Sequence, residues 1–388
     1  MIKFPKSLKV QYHGTEVGKL SMTPDNSKCV FEYGKQWLAD GFSISPLELP
    51  LQSGLQVAKT NKFYGNFGIF EDSMPDSYGN YLLDRILRKY GVSLSEMTPV
   101  ERLSFVGTKG MGALCYVPEM EINTRTDSAT LDDMQQDAID VLSEKDFSKT
   151  ETLYVNSGNS GGCRPKCLWD DEDGRWLVKF RHTYDSQDVG REEYDILCLA
   201  KQCGITVPDA KLFNGKYLGT RRFDISPSGE RLHVATAAGL LCESIQLPMM
   251  DYRKLIRFTQ YLTKDMSQAV EMFRRMVFNY AVGNNDDHAK NFSFVFSDGK
   301  WTCSPAYDIT RCPKANNGFH ASLVNGKEAP DINDFDIVGA DAGLTKGQVL
   351  DIVQNIKETV EKRARSKSMI PAQQHAFQRP DMPNPHCS

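Results

Sequence analysis

From residue 1 to about 33 the chain alternates apolar and polar positions in the manner of β-strands. Leu8, Val10 and Tyr12 fall on one face, His13-Gly14 makes a turn, Val17-Gly18-Lys19-Leu20 opens a second strand and Cys29-Val30-Phe31-Glu32-Tyr33 a third. A small antiparallel sheet is predicted. Ser45 to Pro50 and the glycines near Phe63 to Phe70 read as loop. Pro75-Asp76 opens a helix whose apolar positions, Tyr78, Leu82, Leu83, Ile86 and Leu87, share one face. A shorter helix, Pro99 to Phe105, leads into Gly107-Thr108-Lys109-Gly110-Met111-Gly112 and a strand at Ala113 to Pro118. That glycine run lacks the GxxxxGK[ST] pattern and precedes a strand, so a structural loop is expected rather than a nucleotide site. Residues 121 to about 150 are polar and acidic, with no sustained apolar face before Ala138-Ile139 and Val141-Leu142, and a domain junction is placed there.

Leu153-Tyr154-Val155 and Cys167-Leu168-Trp169 read as strands flanking a second small-residue run, Ser157-Gly158-Asn159-Ser160-Gly161-Gly162. Small residues between strands let backbone amides approach phosphate oxygens, although glycine-serine loops are also common surface turns. A hairpin turn at Asp171 to Gly174 then leads to Trp176-Leu177-Val178-Lys179-Phe180, a strand with a lysine inside an apolar run. A lysine after a glycine hairpin is a candidate for gripping phosphate. The helix beginning at Glu192-Glu193-Tyr194 could offer Lys179 an acidic partner; a solvated helix face suits Glu192 better than Glu193. Leu212 to Phe223 reads as a hairpin around Asn214-Gly215, with Tyr217-Leu218-Gly219 as a candidate connector between lobes. The pattern turns helical from Tyr252. Phe273, Met276, Val277 and Tyr280 repeat at i, i+3, i+4 and i+7, the mark of a buried helix. A hairpin with an Asp298-Gly299 turn follows, then a final helix after Lys346 and a loose tail from Pro371.

The buried helix delivers the chain to Asn285-Asp286-Asp287-His288-Ala289-Lys290-Asn291, and the hairpin to Ser304-Pro305-Ala306-Tyr307-Asp308. Phosphoryl transfer asks a protein chiefly for position, magnesium and charge stabilisation. Asp286 precedes Asn291 by five positions, which separates a carboxylate able to accept a hydroxyl proton from an amide oxygen able to ligate magnesium. Asp308 offers the hard anionic ligand. His288 and Lys290 are cationic candidates near the transferred phosphate. Alone, the Asn-Asp-Asp run is commonly a helix cap, and Asp308 could pair with Arg311; together with Lys179 the set favours catalysis.

Bulk composition narrows the classes. The 388 residues (43.7 kDa) are 40% hydrophobic and 25% charged, which suits a folded chain of two or three units. A net charge of -4 disfavours a large direct nucleic-acid footprint. No run approaches the ~20 apolar residues of a membrane span, and the first residues lack a secretory core. The ten cysteines form no CxxC pair and lack matching histidines, so reduced thiols in a cytoplasmic protein are expected rather than zinc.

The order of these elements resembles the HipA family of bacterial serine/threonine kinases. The resemblance rests on Gly161 to Lys166, Tyr194 to Pro208, Arg222-Phe223-Asp224, Asp286 to Asn291 with Phe292-Ser293, and Ser304 to Asp308, with Gly18-Lys19-Leu20, Met74-Pro75-Asp76 and Gly112-Ala113 nearer the start. It implies an α+β, two-lobed protein-kinase-like fold with an additional N-terminal α/β subdomain and a mostly helical C-terminal lobe. The expected divisions are residues 1–120 for that subdomain, 121–150 for the junction, 151–225 for ATP-binding elements, 226–370 for the helical lobe and 371–388 for the tail. It further implies Asp286 as catalytic base with His288 beside it. Lys179, Ser160, Gly161, Gly162, Lys290 and Asn291 would lie around ATP, with Asn291 and Asp308 as Mg2+ ligands. The family's self-phosphorylated serine falls on Asn159 here, leaving Ser157 and Ser160 as flanking candidates, and Asp287 stands as the fallback base. The implied partners are a small helix-turn-helix antitoxin (HipB-like), operator DNA reached only through it, and a protein substrate such as an aminoacyl-tRNA synthetase, so that translation and growth stop. Two other readings are a catalytically weak nucleotide-binding corepressor acting with such an antitoxin, and a small-molecule or lipid kinase.

Overall fold

A computed structural model describes residues 3–59, 61–122, 124, 129–157, 162–244 and 250–366. The chain divides into two compact units: residues 1–194, 208–244 and 293–299 in the first, and 195–207, 245–292 and 300–388 in the second.

The first unit opens as predicted. Strands β1 (Ser7–Tyr12), β2 (Thr15–Met22), β3 (Cys29–Tyr33), β4 (Gln56–Val57) and β5 (Leu114–Val117) form an antiparallel sheet in the order β4-β3-β2-β1-β5. Leu8, Val10, Leu20, Phe31 and Tyr116 are fully buried on it. Helix α1 (Lys35–Asp40) and the short α2 (Gly68–Glu71) interrupt the loops between strands. The face of α3 (Ser77–Arg88) read from sequence is buried, and α4 (Pro99–Val106) starts on a Thr98/Glu101 capping box.

The stretch read as a junction contains a helix. In α5 (Leu131–Leu142), Thr130 and Asp133 form a capping box, and Leu131, Met134, Ala138 and Val141 are buried at helical spacing. The strand expected at Leu153-Tyr154-Val155 is instead α6 (Thr150–Ser157). Leu153 and Tyr154 pack with Leu82, Ile86 and Val141 of α3 and α5, and that packing overrides the β preference of the tripeptide. Strands β6 (Lys166–Asp171), β7 (Gly174–Lys179), β8 (Ala210–Phe213) and β9 (Tyr217–Arg221) form an antiparallel sheet in the order β6-β7-β9-β8. Tyr217-Leu218-Gly219 is therefore not a connector. It belongs to an inner strand paired to β7 and β8. The boundary between units falls within α7 (Val189–Gln202). Later in the first unit, β10 (His233–Thr236) precedes α8 (Ala237–Leu241), whose N-cap Thr236 is bonded to Asp72.

In the second unit β11 (Met250–Asp251) leads into α9 (Tyr252–Thr263), and α10 (Met266–Val282) follows. Phe273, Met276, Val277 and Tyr280 are 0 to 3% exposed, and the burial of α10 extends round the helix to Arg275, Phe278 and Asn279. Each large apolar side chain removed from water there contributes about 1.5–3 kcal/mol. Gly283 ends α10 with φ 71°, a left-handed turn that a side chain would strain. Strand β12 (Ser293–Ser297) belongs to the first unit, where it pairs with β10, and Asp298-Gly299, both at positive φ, turn the chain into β13 (Lys300–Cys303). Strand β14 (Ser322–Leu323) runs parallel to β11, and α11 (Ile332–Asp341) and α12 (Lys346–Ser366) complete the second unit. Among the described residues no helix is long and apolar enough to cross a membrane.

The Gly107–Gly112 run is tied into the first unit through its backbone. Arg231 donates to the carbonyls of Thr108, Gly110 and Gly112. The amide of Gly112 donates to Asp224 Oδ2 at 2.9 Å. Asp224 is 2% exposed; burial pushes its carboxyl up, but hydrogen bonds from Arg222 hold it net below its ordinary value near 3.8. A lowered folded-state value means that this group stabilises fully above the ordinary value and loses its contribution as pH falls through the folded one. Asp224→Asn should therefore cost most stability near neutral pH, and its denaturation midpoint should converge on the wild-type midpoint in acid. Urea titrations across pH check this.

Candidate active site

Each unit carries one cluster of the predicted residues. In the first, Lys179 ends β7, and its Nζ lies 3.0 Å from Glu193 Oε2. Glu193 is 5% exposed on α7, so it is the acidic residue of the Glu192-Glu193 pair that turns inward. Its other oxygen accepts from Arg164 at 2.6 Å, and Arg164 in turn grips both oxygens of Asp185. Burial pushes Asp185 up, but the Arg164 bonds and the His182 amide hold its carboxyl below the usual range. Two cations and two carboxylates thus fix one another where each alone would be costly to desolvate. The cluster borders a cavity of about 330 Å³ also lined by Gln135, Arg181 and Lys216.

Of the small-residue run, residues 158–161 lie outside the described residues, so Asn159, Ser160 and Gly161 receive no structural account. Gly162 has φ 99°, and its amide donates to Asp76 Oδ2 at 2.8 Å. Ser157 is 2% exposed at the end of α6, with its hydroxyl donating to the Tyr154 carbonyl.

In the second unit the loop after Gly283 sets neighbouring aspartates in opposite roles. Asp287 has a fully buried carboxylate. Oδ1 accepts from the amides of Ala321 (2.8 Å) and Ser322 (3.2 Å); Oδ2 accepts from Tyr252 Oη (2.7 Å) and lies 3.1 Å from His320 Nδ1. Asn279 of α10 donates to the same Tyr252 hydroxyl, and His320 stacks on Tyr280 at 3.7 Å. Asp286 is 52% exposed by side chain, with His288 Nε2 3.7 Å from its Oδ1. Asp286 is thus the exposed residue between buried Asn285 and buried Asp287.

The rest of the loop is similarly fixed. Asn291 Nδ2 donates to the Asp286 carbonyl at 2.8 Å, which aims its amide oxygen away from the backbone. Tyr307 Oη donates to the Lys290 carbonyl at 2.6 Å. That bond ties the residue before Asp308 to the residue before Asn291, so the two stretches singled out from sequence meet. Asp308 itself adopts φ 54°, a left-handed conformation uncommon outside glycine and one that clusters at functional sites. Among the described residues no group of three or more His, Cys, Asp or Glu side chains could hold a metal. One carboxylate and one amide oxygen fit magnesium, which keeps waters and takes phosphate oxygens for its remaining positions.

Comparison with known proteins bears on this arrangement. A family model described as HipA-like C-terminal domain matches residues 158–364, and another, HipA N-terminal domain, matches 8–117. The chain belongs to the HipA family. A candidate kinase of Sinorhizobium fredii is 24% identical over 78% of this chain and 76% of its own length. A serine/threonine-protein kinase toxin HipA of Shewanella oneidensis is 22% identical over 78% of this chain and 75% of its own. The solved HipA, HipB and operator DNA complex from Shewanella oneidensis contains a chain similar at TM-score 0.69 and 18% identity, over 94% of this chain and 92% of that one. The fold is accordingly α+β and kinase-like, as this HipA-family sequence implied.

Sequence reasoning missed the brace formed by Tyr252, Asn279, His320 and Ser322. None of these carries a motif, and they lie 27 to 35 positions from their partners in the chain. Two outcomes follow from the buried groups. Asp287→Ala leaves two amides and a hydroxyl without their acceptor and should cost about 3 kcal/mol; Asp287→Asn keeps an acceptor there and should cost less than half as much, as read by chemical denaturation. Glu193→Ala, which removes the buried carboxylate that Lys179 and Arg164 share, should cost roughly 3 kcal/mol, and Glu193→Gln less.

Proposed function

We propose that this HipA-family chain is an ATP- and Mg2+-dependent serine/threonine protein kinase and the toxin of a toxin-antitoxin pair. The observation that carries this is the loop geometry: an exposed Asp286 between buried neighbours, with Asn291 hydrogen-bonded to its carbonyl and Asp308 tied alongside through Tyr307.

In this reading Asp286 orients the acceptor hydroxyl and takes its proton, which a carboxylate in a fixed pose can do. His288 stands beside it. Asn291 and Asp308 would hold the magnesium, which when bound neutralises charge on the nucleotide phosphates. Lys179, ion-paired with Glu193, would bind phosphate, and Gly162, Ser160, Gly161 and Lys290 are the other residues proposed for nucleotide binding. The Asp287 fallback is disfavoured, because its carboxylate is fully buried and its oxygens are already engaged. A HipB-like helix-turn-helix antitoxin is the proposed restraining partner, by analogy with the Shewanella complex, with DNA reached through it. A translation protein such as an aminoacyl-tRNA synthetase is the proposed substrate, and the cytoplasm the proposed location.

Incubation with γ-labelled ATP and a bacterial lysate tests the activity. Wild type should transfer label, and Asp286→Asn and Asp308→Ala should each lower transfer by about 100-fold or more. Equal transfer by wild type and Asp286→Asn would remove Asp286 from its role. Growth arrest on expression, relieved by the same substitutions, separates the toxin from a corepressor without catalysis.

A further inference from the structure

The residues on either side of Asp286 are both bonded to one later segment. The Asn285 carbonyl accepts from Asn316 Nδ2 (2.6 Å) and from the Ala321 amide (3.0 Å), and Asn285 Nδ2 donates to the Pro313 carbonyl (3.0 Å). The Asp287 carboxylate accepts from the Ala321 and Ser322 amides. Residues 313–322 are therefore clamped along the loop that presents Asp286.

Within the clamp the backbone is unusual. Asn316, Asn317 and Gly318 take φ 48°, 58° and 91°, three left-handed residues in succession. Such conformations persist only where the surroundings impose them, and they gather at ligand-contacting segments. Phe319 is 51% exposed, although its neighbours His320, Ala321 and Ser322 are buried. Two residues span at most about 7 Å from Phe319 to Ala321, whose amide touches the neighbours of Asp286. Phe319 is thus an exposed aromatic residue two positions from Ala321, whose amide is bonded to both neighbours of Asp286.

We infer that Phe319 is a specificity-determining contact for the protein substrate. It would receive an apolar side chain close to the serine or threonine whose hydroxyl meets Asp286. This rests on the kinase reading and adds to it a substrate class: hydroxyl residues with a large apolar neighbour. Aromatic rings supply contact area at low entropic cost, which suits recognition of a short segment.

The test is phosphorylation of a degenerate peptide library with a fixed central serine, comparing wild type, Phe319→Ala and Phe319→Leu. Wild type should select Leu, Met, Phe or Ile at one flanking position. Phe319→Ala should lose that preference by about 10-fold, seen in KM for the apolar-flanked peptides, and Phe319→Leu should largely keep it. KM for ATP and the thermal midpoint should be the same in all three proteins. Identical selection by wild type and Phe319→Ala, or no apolar selection by wild type, overturns the inference and leaves the kinase reading standing. Absence of transfer to any peptide by wild type overturns both.

Discussion

The second unit is organised around one carboxyl group taken out of water. A buried carboxylate is tolerable only if its lone pairs are filled, and Asp287 has two amides, a tyrosine hydroxyl and an imidazole around it. Those donors come from the start of α9 and from the segment that leads into β14, while Asn279 of α10 fixes the tyrosine. The same charge that would be a liability in an apolar core here draws three parts of the unit to one point. Removing water from a loop is usually hard because its backbone needs partners. In this loop the partners are supplied by the neighbouring asparagines and by the segment 313–322, so the loop is held as firmly as a helix end.

The first unit solves a related problem with several charges. Lys179 and Arg164 share Glu193, and Arg164 shares Asp185. Arginine's planar fork suits such sharing, and its bidentate grip leaves Lys179 facing one oxygen of Glu193. The lysine is thereby paired at the end of an inner strand.

Much of this was legible in the chain. The period-two runs near the start and the i, i+3, i+4, i+7 repeat of α10 report burial directly, and both elements formed where expected. The Asp286, Asn291 and Asp308 spacing carries chemistry in its residue types, so it could be picked out without coordinates. What was not legible depends on distant partners. Leu153-Tyr154-Val155 looks like a strand until α3 and α5 are in place to receive it as a helix. Tyr217 to Gly219 looks like a link because a glycine and a turn adjoin it, yet β7 on one side makes it a strand. Which of two adjacent aspartates faces water is decided by His320 and Tyr252, and no local pattern announces them.

The bond between Gly162 and Asp76 bears on how this protein can be cut. Gly162 is fastened to Asp76 at the entry of α3, and Asp224 fastens the Gly107–Gly112 run within the same unit. The first family match, 8–117, thus shares one compact unit with residues 162–194 and 208–244 of the second, across the gap that separates them in sequence. A fragment beginning at residue 158 would forfeit those fastenings and expose the surfaces that α3, α5 and α6 cover. The N-terminal portion is in this sense part of the same compact unit as residues 162–194 and 208–244 rather than an attachment to it.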